Sequence, residues 1–176
     1  MCSSDLVVAN VRLMGQATGR TAEAEALATS MTRRIEAVAA KIARTDGPRV
    51  FYELSPELYT ASPESFIGGL LSMLRVRNVA AGARTAFPQL SAEAVLSADP
   101  EVILLADAAS AKQSLETVAA RPGWAATSAV KTKRVYEVNA DLVNRPGPRI
   151  VDGLEAIARQ LYPEQFGAQP AATAGG

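Results

Sequence analysis

After an Asp99-Pro100 break, Val102-Ile103-Leu104-Leu105 run as four consecutive apolar residues without polar alternation. A strand wet on one face alternates apolar and polar side chains, so an unbroken run requires burial on both faces, as in a parallel sheet layered between helices. Residues 49–54, with Val50-Phe51-Tyr52 between Gly47-Pro48 and Ser55-Pro56, read as a second such strand, and Arg134 to Val138 as a third.

Helical patterns fill the intervals. Ser62-Pro63 offers a hydroxyl cap and a proline preset for the first helical position, ahead of Phe66, Ile67, Leu70, Leu71 and Leu74 on one face. Ser91 caps a short helix through Ala98, a further helix runs around Gln113 to Ala120, and Ile150, Leu154, Ile157 and Leu161 share a face of the last one. Strand and helix alternate, which predicts an α/β, doubly wound (Rossmann-like) three-layer lobe with a mostly parallel central sheet.

Two helices precede this lobe. Val7, Val8, Val11 and Met14 repeat at helical spacing, with Gly15 as the expected terminator. Thr21 caps a helix over 21–45 in which Leu27, Met31, Ile35, Val38 and Ile42 form one stripe. So long a helix beside so small a sheet predicts that its stripe packs against something outside the chain. Residues 7–46 are thus the helical lead-in and 47–166 the α/β lobe, while the Ala/Gly-rich stretch 167–176 reads as a disordered tail. Cys2-Ser3-Ser4-Asp5-Leu6 matches one reading frame of a sequencing-adapter end, so residues 1–6 are expected to be a non-native leader. The alternative is an ordinary terminus capped by Ser3, Ser4 or Asp5.

Composition narrows the chemistry. The 176 residues contain no histidine, which removes Ser-His-Asp and Cys-His nucleophile pairs and every imidazole ligand. Eighteen Lys+Arg balance eighteen Asp+Glu without a basic stripe, so no nucleic acid partner is expected. Cys2 is the only cysteine and permits no intrachain disulfide. No apolar run reaches the roughly 18 residues of a membrane span, and no signal peptide is expected at the start of this chain. The 34 alanines account for much of the apolar fraction, leaving a core thin in aromatics.

Several residues stand out against plain structural explanations. Gly15 to Arg20 looks superficially like a phosphate loop but lacks the spacing and a preceding strand, so the glycines read as punctuation between helices. Asp99, Asp107 and Asp141 lie near strand ends, where they serve as caps or turn residues or as ligand contacts. Tyr52 reads as core, whereas Tyr59 and Phe87 flank loops where a ring stacks on a planar ligand or packs inward. Arg145 and Arg149 bracket Pro146-Gly147-Pro148, suited to holding a guanidinium at a cleft or in a salt bridge. Glu64, in the first turn of its expected helix, is explained by the helix dipole or by a docking role.

The segments Phe51-Tyr52-Glu53-Leu54, Tyr59-Thr60, Ser62-Pro63-Glu64-Ser65-Phe66-Ile67, Pro88 to Leu96, Asp99 to Leu104, Arg134-Val135-Tyr136 and Arg145 to Arg149 together resemble a known family. From about Val7 to Phe166 the chain is similar to the C-terminal lobe of the extracytoplasmic solute-binding proteins of ABC importers for cobalamin, haem and iron–siderophore complexes. The resemblance implies two lobes joined by one long helix, here 21–45, with the ligand in the cleft between them. It implies a missing N-terminal lobe with signal peptide and lipid-attachment cysteine, an ABC permease as membrane partner, and an extracytoplasmic location. It implies no enzyme activity and no cofactor or bound metal of the protein's own, the ligand being cobalamin first and otherwise haem or a ferric siderophore.

By the same resemblance Leu54, Tyr59, Phe87, Asp141 and Arg145 are ligand-binding residues: Tyr59 and Phe87 for flat apolar contact, Asp141 and Arg145 for peripheral amides. Glu64 matches a glutamate that docks into permease arginines. One departure is Arg75-Val76, where the family usually carries a Gly-Gly pair suited to a left-handed turn. The rival reading is a stand-alone small α/β nucleotide-binding or enzymatic domain.

Overall fold

The computed structural model describes residues 3–42 and 46–167, with side chains from Asp5 onward. Helices α1 (Ser3–Ala17) and α2 (Thr21–Ile42) form an antiparallel hairpin. There follow β1 (Arg49–Glu53), α3 (Phe66–Met73), β2 (Arg77–Asn78), α4 (Ala92–Ala98), β3 (Val102–Leu105), α5 (Ala108–Ala111) and α6 (Leu115–Ala119). After a 3-10 turn at Trp124–Ala126 come α7 (Ser128–Lys131), β4 (Val135–Glu137), α8 (Ala140–Val143), α9 (Ile150–Leu161) and α10 (Pro163–Phe166).

The strands form one parallel sheet in the order β2-β1-β3-β4, with Val50 opposite Val102 and Ile103 opposite Val135. Side-chain alternation divides the core in two. Val50, Tyr52, Val102 and Leu104 face α1, α2, α3 and α9, while Phe51, Ile103 and Leu105 face Val95, Val118, Trp124 and Ala129. The unbroken apolar run is therefore buried on both sides, as expected, and the doubly wound α/β class holds.

Several details differ from the sequence pattern. Helix α1 runs through Gly15 to Ala17, and the left-handed residue is Gly19, at φ 70°. Gly15 serves packing instead, since a Cβ there would overlap that of Ala24 across the hairpin. Residues 3–6 of the expected leader form the first turn of α1, while Cys2 lies outside the described residues. So do positions 43–45, the end expected for the long helix, and all of the expected tail beyond Gly167.

Most of the α2 stripe is covered within the chain itself, with Leu27 left exposed. Met31, Val38 and Ile42 are buried in the chain's own core with Val7 and Val8 of α1 and Leu154, Ile157 and Leu161 of α9. Arg34 of α2 also bonds Asp152 at 2.6 Å and Glu155 at 2.9 Å on α9. The apolar residues left in water are chiefly on α1, where Leu6, Leu13 and Met14 are exposed, joined by Leu27 of α2.

Helix α3 starts later than the Ser62-Pro63 signal suggests. Ser65 is the cap, its hydroxyl accepting from the Gly68 N–H at 2.9 Å, and the 62–65 segment folds back so closely that a Cβ at Gly68 would overlap the Ser62 carbonyl. Arg75 adopts φ 54°, so the left-handed turn forms without glycine.

Candidate functional site

In a doubly wound sheet ligands bind beyond the carboxyl ends of the strands, at the point where strand order reverses. Here that point lies between β1 and β3. Beyond β1 the chain makes a tight turn, with the Leu58 N–H donating to the Ser55 carbonyl at 3.0 Å and Leu58 at φ 67°. It then enters an antiparallel ladder. Thr60 N–H donates to the Pro88 carbonyl, Ser62 N–H to Ala86 and Leu90 N–H to Leu58, with Tyr59 directly opposite Gln89. This register sets Phe87 opposite Ala61 and so puts Tyr59 and Phe87 on one face of the ladder as diagonal neighbours. Both rings are exposed, by 43% and 52%, in a chain whose other large aromatics are mostly buried. Leu54, half-buried, is tied to the same turn through its N–H to the Tyr59 carbonyl at 2.9 Å.

Asp141 and Arg145 follow β4, at the same end of the sheet and two strand spacings, about 10 Å, from β1. They meet each other at 3.0 Å as an exposed pair one helical turn apart. Tyr52, expected in the core, is buried there, with its hydroxyl reaching Asn144 Oδ1 at 3.4 Å and burial pushing its titration well above the usual phenol range. Arg149 is exposed and forms no ion pair among the described residues.

Glu64 stands outside the helix, just before the Ser65 cap, rather than within the first turn. It is exposed, its N–H donates to Ser62 Oγ at 3.3 Å, and its carboxylate has no ion pair among the described residues. At this place, next to the helix N-terminus, the dipole still favours a carboxylate.

Of the three aspartates at strand ends, Asp99 is structural. It accepts from the Ser128 N–H and hydroxyl, both at 2.7 Å, and these bonds hold its carboxyl below the ordinary range. Asp107 differs from the expected cap: it precedes α5 but makes no capping bond, and both of its oxygens are buried without a partner. Burial, reinforced by the charge of Glu53, pushes its carboxyl up to about 6.

Beside it Glu53, fully buried, receives Arg121 in a two-pronged bond at 2.6 Å on each oxygen. Arg121 also donates to Gln113 Oε1 and lies 4.7 Å over the Trp124 ring. Sequence reasoning passed over this cluster. The available signal was Glu53 itself, a charge ending an otherwise apolar buried strand, which demands a partner.

Among the described residues no group of three acidic, thiol or imidazole side chains is placed to hold a metal ion. The described helices include none long and apolar enough to cross a membrane. An apolar gap between α3, α8 and α9, lined by Ile67, Leu71, Val143 and Leu154, offers no polar group to orient a ligand.

Residues 5–142 match the periplasmic binding protein family. The chain belongs to that family. It is 34% identical over 165 residues to an uncharacterized ABC transporter substrate-binding lipoprotein, YvrC, of Bacillus subtilis, covering 91% of this chain and 51% of that protein. It is also 34% identical over 166 residues to a cobalamin-binding protein of Halobacterium salinarum, covering 91% and 45%. The crystal structure of the periplasmic vitamin B12-binding protein BtuF of Vibrio cholerae superposes with a TM-score of 0.79 at 26% identity, over 92% of this chain and 62% of that one. The chain thus spans about half the length of the curated relatives it matches.

Proposed function

We propose that this chain is the C-terminal ligand-binding lobe of an ABC importer's substrate-binding protein for a metal chelate, with cobalamin the first ligand. The observation that carries the reading is the pair of exposed rings, Tyr59 and Phe87, held on one face of a hydrogen-bonded ladder at the carboxyl end of a parallel sheet. Rings fixed in that way offer flat apolar area to a macrocycle with little ordering cost. Asp141 and Arg145 supply an acceptor and several donors for peripheral amides. Because their own bond is exposed, exchanging it for ligand contacts costs little. The name of the Halobacterium relative supports the choice of cobalamin over haem or a ferric siderophore.

In this reading no bond is made or broken, and the second half of the cleft comes from an N-terminal lobe. Leu6, Leu13, Met14 and Leu27 offer that lobe an apolar seat. The family and the named relatives support an extracytoplasmic setting and a permease partner. Glu64, rigidly placed, exposed and unpaired, suits a cationic pocket on that permease, where it would set orientation more than affinity. The stand-alone nucleotide reading is weaker, because β1 runs into Leu54-Ser55-Pro56-Glu57-Leu58 with no glycine to cradle a phosphate.

The test is a titration of the chain with hydroxocobalamin, haemin and a ferric hydroxamate siderophore. The expected result is saturable hydroxocobalamin binding, tighter than the other two and weakened at least tenfold in a Tyr59→Ala, Phe87→Ala double variant. Tighter haemin or siderophore binding overturns the choice of ligand, and undiminished binding in the double variant overturns the site.

A further inference from the structure

The ladder that carries Tyr59 and Phe87 is a unit bonded within itself. Leu54, Leu58, Thr60, Ser62 and Leu90 all donate main-chain bonds inside it, and the Gln89 side chain donates to the Glu57 carbonyl at 3.0 Å. Where the rings stand is therefore set by how this unit is fixed to the sheet. One polar attachment is Asn78 of β2, whose side chain donates to the Ala61 carbonyl at 2.8 Å and accepts from the Ala80 N–H. Another is Glu53. Its main chain pairs with Thr60 of the ladder and with Leu105 of β3, and its carbonyl accepts from the Ala106 N–H at 2.9 Å.

The Glu53 side chain is fixed in direction as well as in place. Fully buried, it receives both prongs of Arg121 at 2.6 Å. The guanidinium is itself held: Gln113 Oε1 accepts from it at 2.8 Å, the Thr117 hydroxyl donates to that same oxygen at 3.0 Å, and the Trp124 ring lies 4.7 Å away beneath it. Trp124 in turn meets Phe51 of β1 edge-on, with ring centroids 5.9 Å apart. The Arg121 main chain is pinned by its own N–H to the Val118 carbonyl and by the Trp124 N–H to its carbonyl. A buried ion pair adds little stability over apolar side chains of similar volume, because desolvation offsets the attraction. What it adds is direction, since a planar fork fits a carboxylate in one orientation.

We propose that Arg121 is a positioning residue: through Glu53 it fixes the angle at which the ladder leaves the sheet, and so the place at which the Tyr59 ring meets ligand. Arg121 acts through Glu53 and not by touching ligand. That the ring meets ligand rests on the function proposed above, whereas the anchoring of the ladder does not.

The experiment compares the wild type with Arg121→Lys, which keeps the charge and loses the fork, and with a Glu53→Met, Arg121→Met double variant, which removes both charges. Three quantities are read: the urea unfolding midpoint, amide hydrogen exchange in the ligand-free chain, and affinity for hydroxocobalamin. The double variant is expected to keep the wild-type midpoint or exceed it. Its Leu54 and Ala106 amides, whose bonds flank Glu53, should exchange at least tenfold faster, and its affinity should fall at least tenfold. Arg121→Lys should show the same local change in exchange with a smaller loss of affinity. In both variants the central residues of β1 and β3 should exchange as in the wild type. Wild-type exchange at Leu54 and Ala106 in either variant overturns the anchoring, as does faster exchange spread evenly over the sheet, which marks a merely structural pair. Wild-type affinity in a double variant with loosened amides overturns the link to ligand. If the wild type itself binds no hydroxocobalamin, the ligand reading fails while the exchange result still decides the anchoring.

Discussion

The two ends of the parallel sheet are built on opposite rules. At the amino end, Arg49, Arg77, Asp99 and Glu101 form one connected set: Arg77 meets Glu101 at 2.8 Å, Arg49 bridges Asp99 and Glu101 at 3.6 Å each, and the Arg49 N–H donates to Glu101 at 2.8 Å. At the carboxyl end a buried carboxylate has no partner beyond its own main chain, and two aromatic rings stand in water. One end closes its own interactions and the other leaves them open. An unmet buried carboxylate and exposed aromatics cost stability, and their presence together at the end where doubly wound sheets bind ligands supports the site proposed above.

This contrast breaks first at the buried pair. Arg121→Met strands Glu53 without a counter-charge, and urea unfolding at pH 7.5 is expected to show a loss of about 3–5 kcal/mol. A loss under about 1 kcal/mol would mean that water already reaches Glu53. Next, Asp107→Asn is expected to raise stability at pH 7.5 by roughly 2–3 kcal/mol. The sign follows from a folded-state value of about 6 against an ordinary one of 3.8: the bound proton stabilises fully below the ordinary value, and that contribution is lost as pH rises through about 6. The gap between variant and wild type should therefore close by about pH 4, and a gap independent of pH would contradict the assignment.

Smaller effects sharpen the comparison. At the amino end, Glu101→Gln is expected to cost under about 1 kcal/mol, with the loss shrinking in salt, because that network is partly exposed. Truncating Tyr59 and Phe87 together should change the unfolding midpoint least, by the equivalent of about 0.5 kcal/mol or less, since both rings are half in solvent. A large loss there would make the rings structural rather than functional.

The layers of this fold were legible wherever one local signal decided the matter. Val102 to Leu105 announced a strand buried on both faces, and Ser91 capped its helix as expected, accepting from the Ala94 N–H. Legibility failed where a tertiary contact chose between equal local signals. Ser62 and Ser65 are both plausible caps, and the close approach of the Ser62 carbonyl to Gly68 decides for Ser65. Strand β2 has two residues, too few for any periodicity to show.

The proposed site divides in the same way. Tyr59, Phe87, Asp141 and Arg145 were legible as polar or aromatic residues after strands, whereas the partnerless state of Asp107 depends on Arg121, fourteen positions away, being spent on Glu53.

The central claim is that ligand meets this chain at the carboxyl end of its sheet. Amide chemical-shift mapping of the 176-residue chain against millimolar hydroxocobalamin tests it most directly. The account predicts perturbations confined to residues 54–60, 86–90 and 139–146, with Arg49, Arg77 and Glu101 unmoved. Shifts centred on the amino end of the sheet or on the exposed face of α1, or no shifts at all, would contradict it.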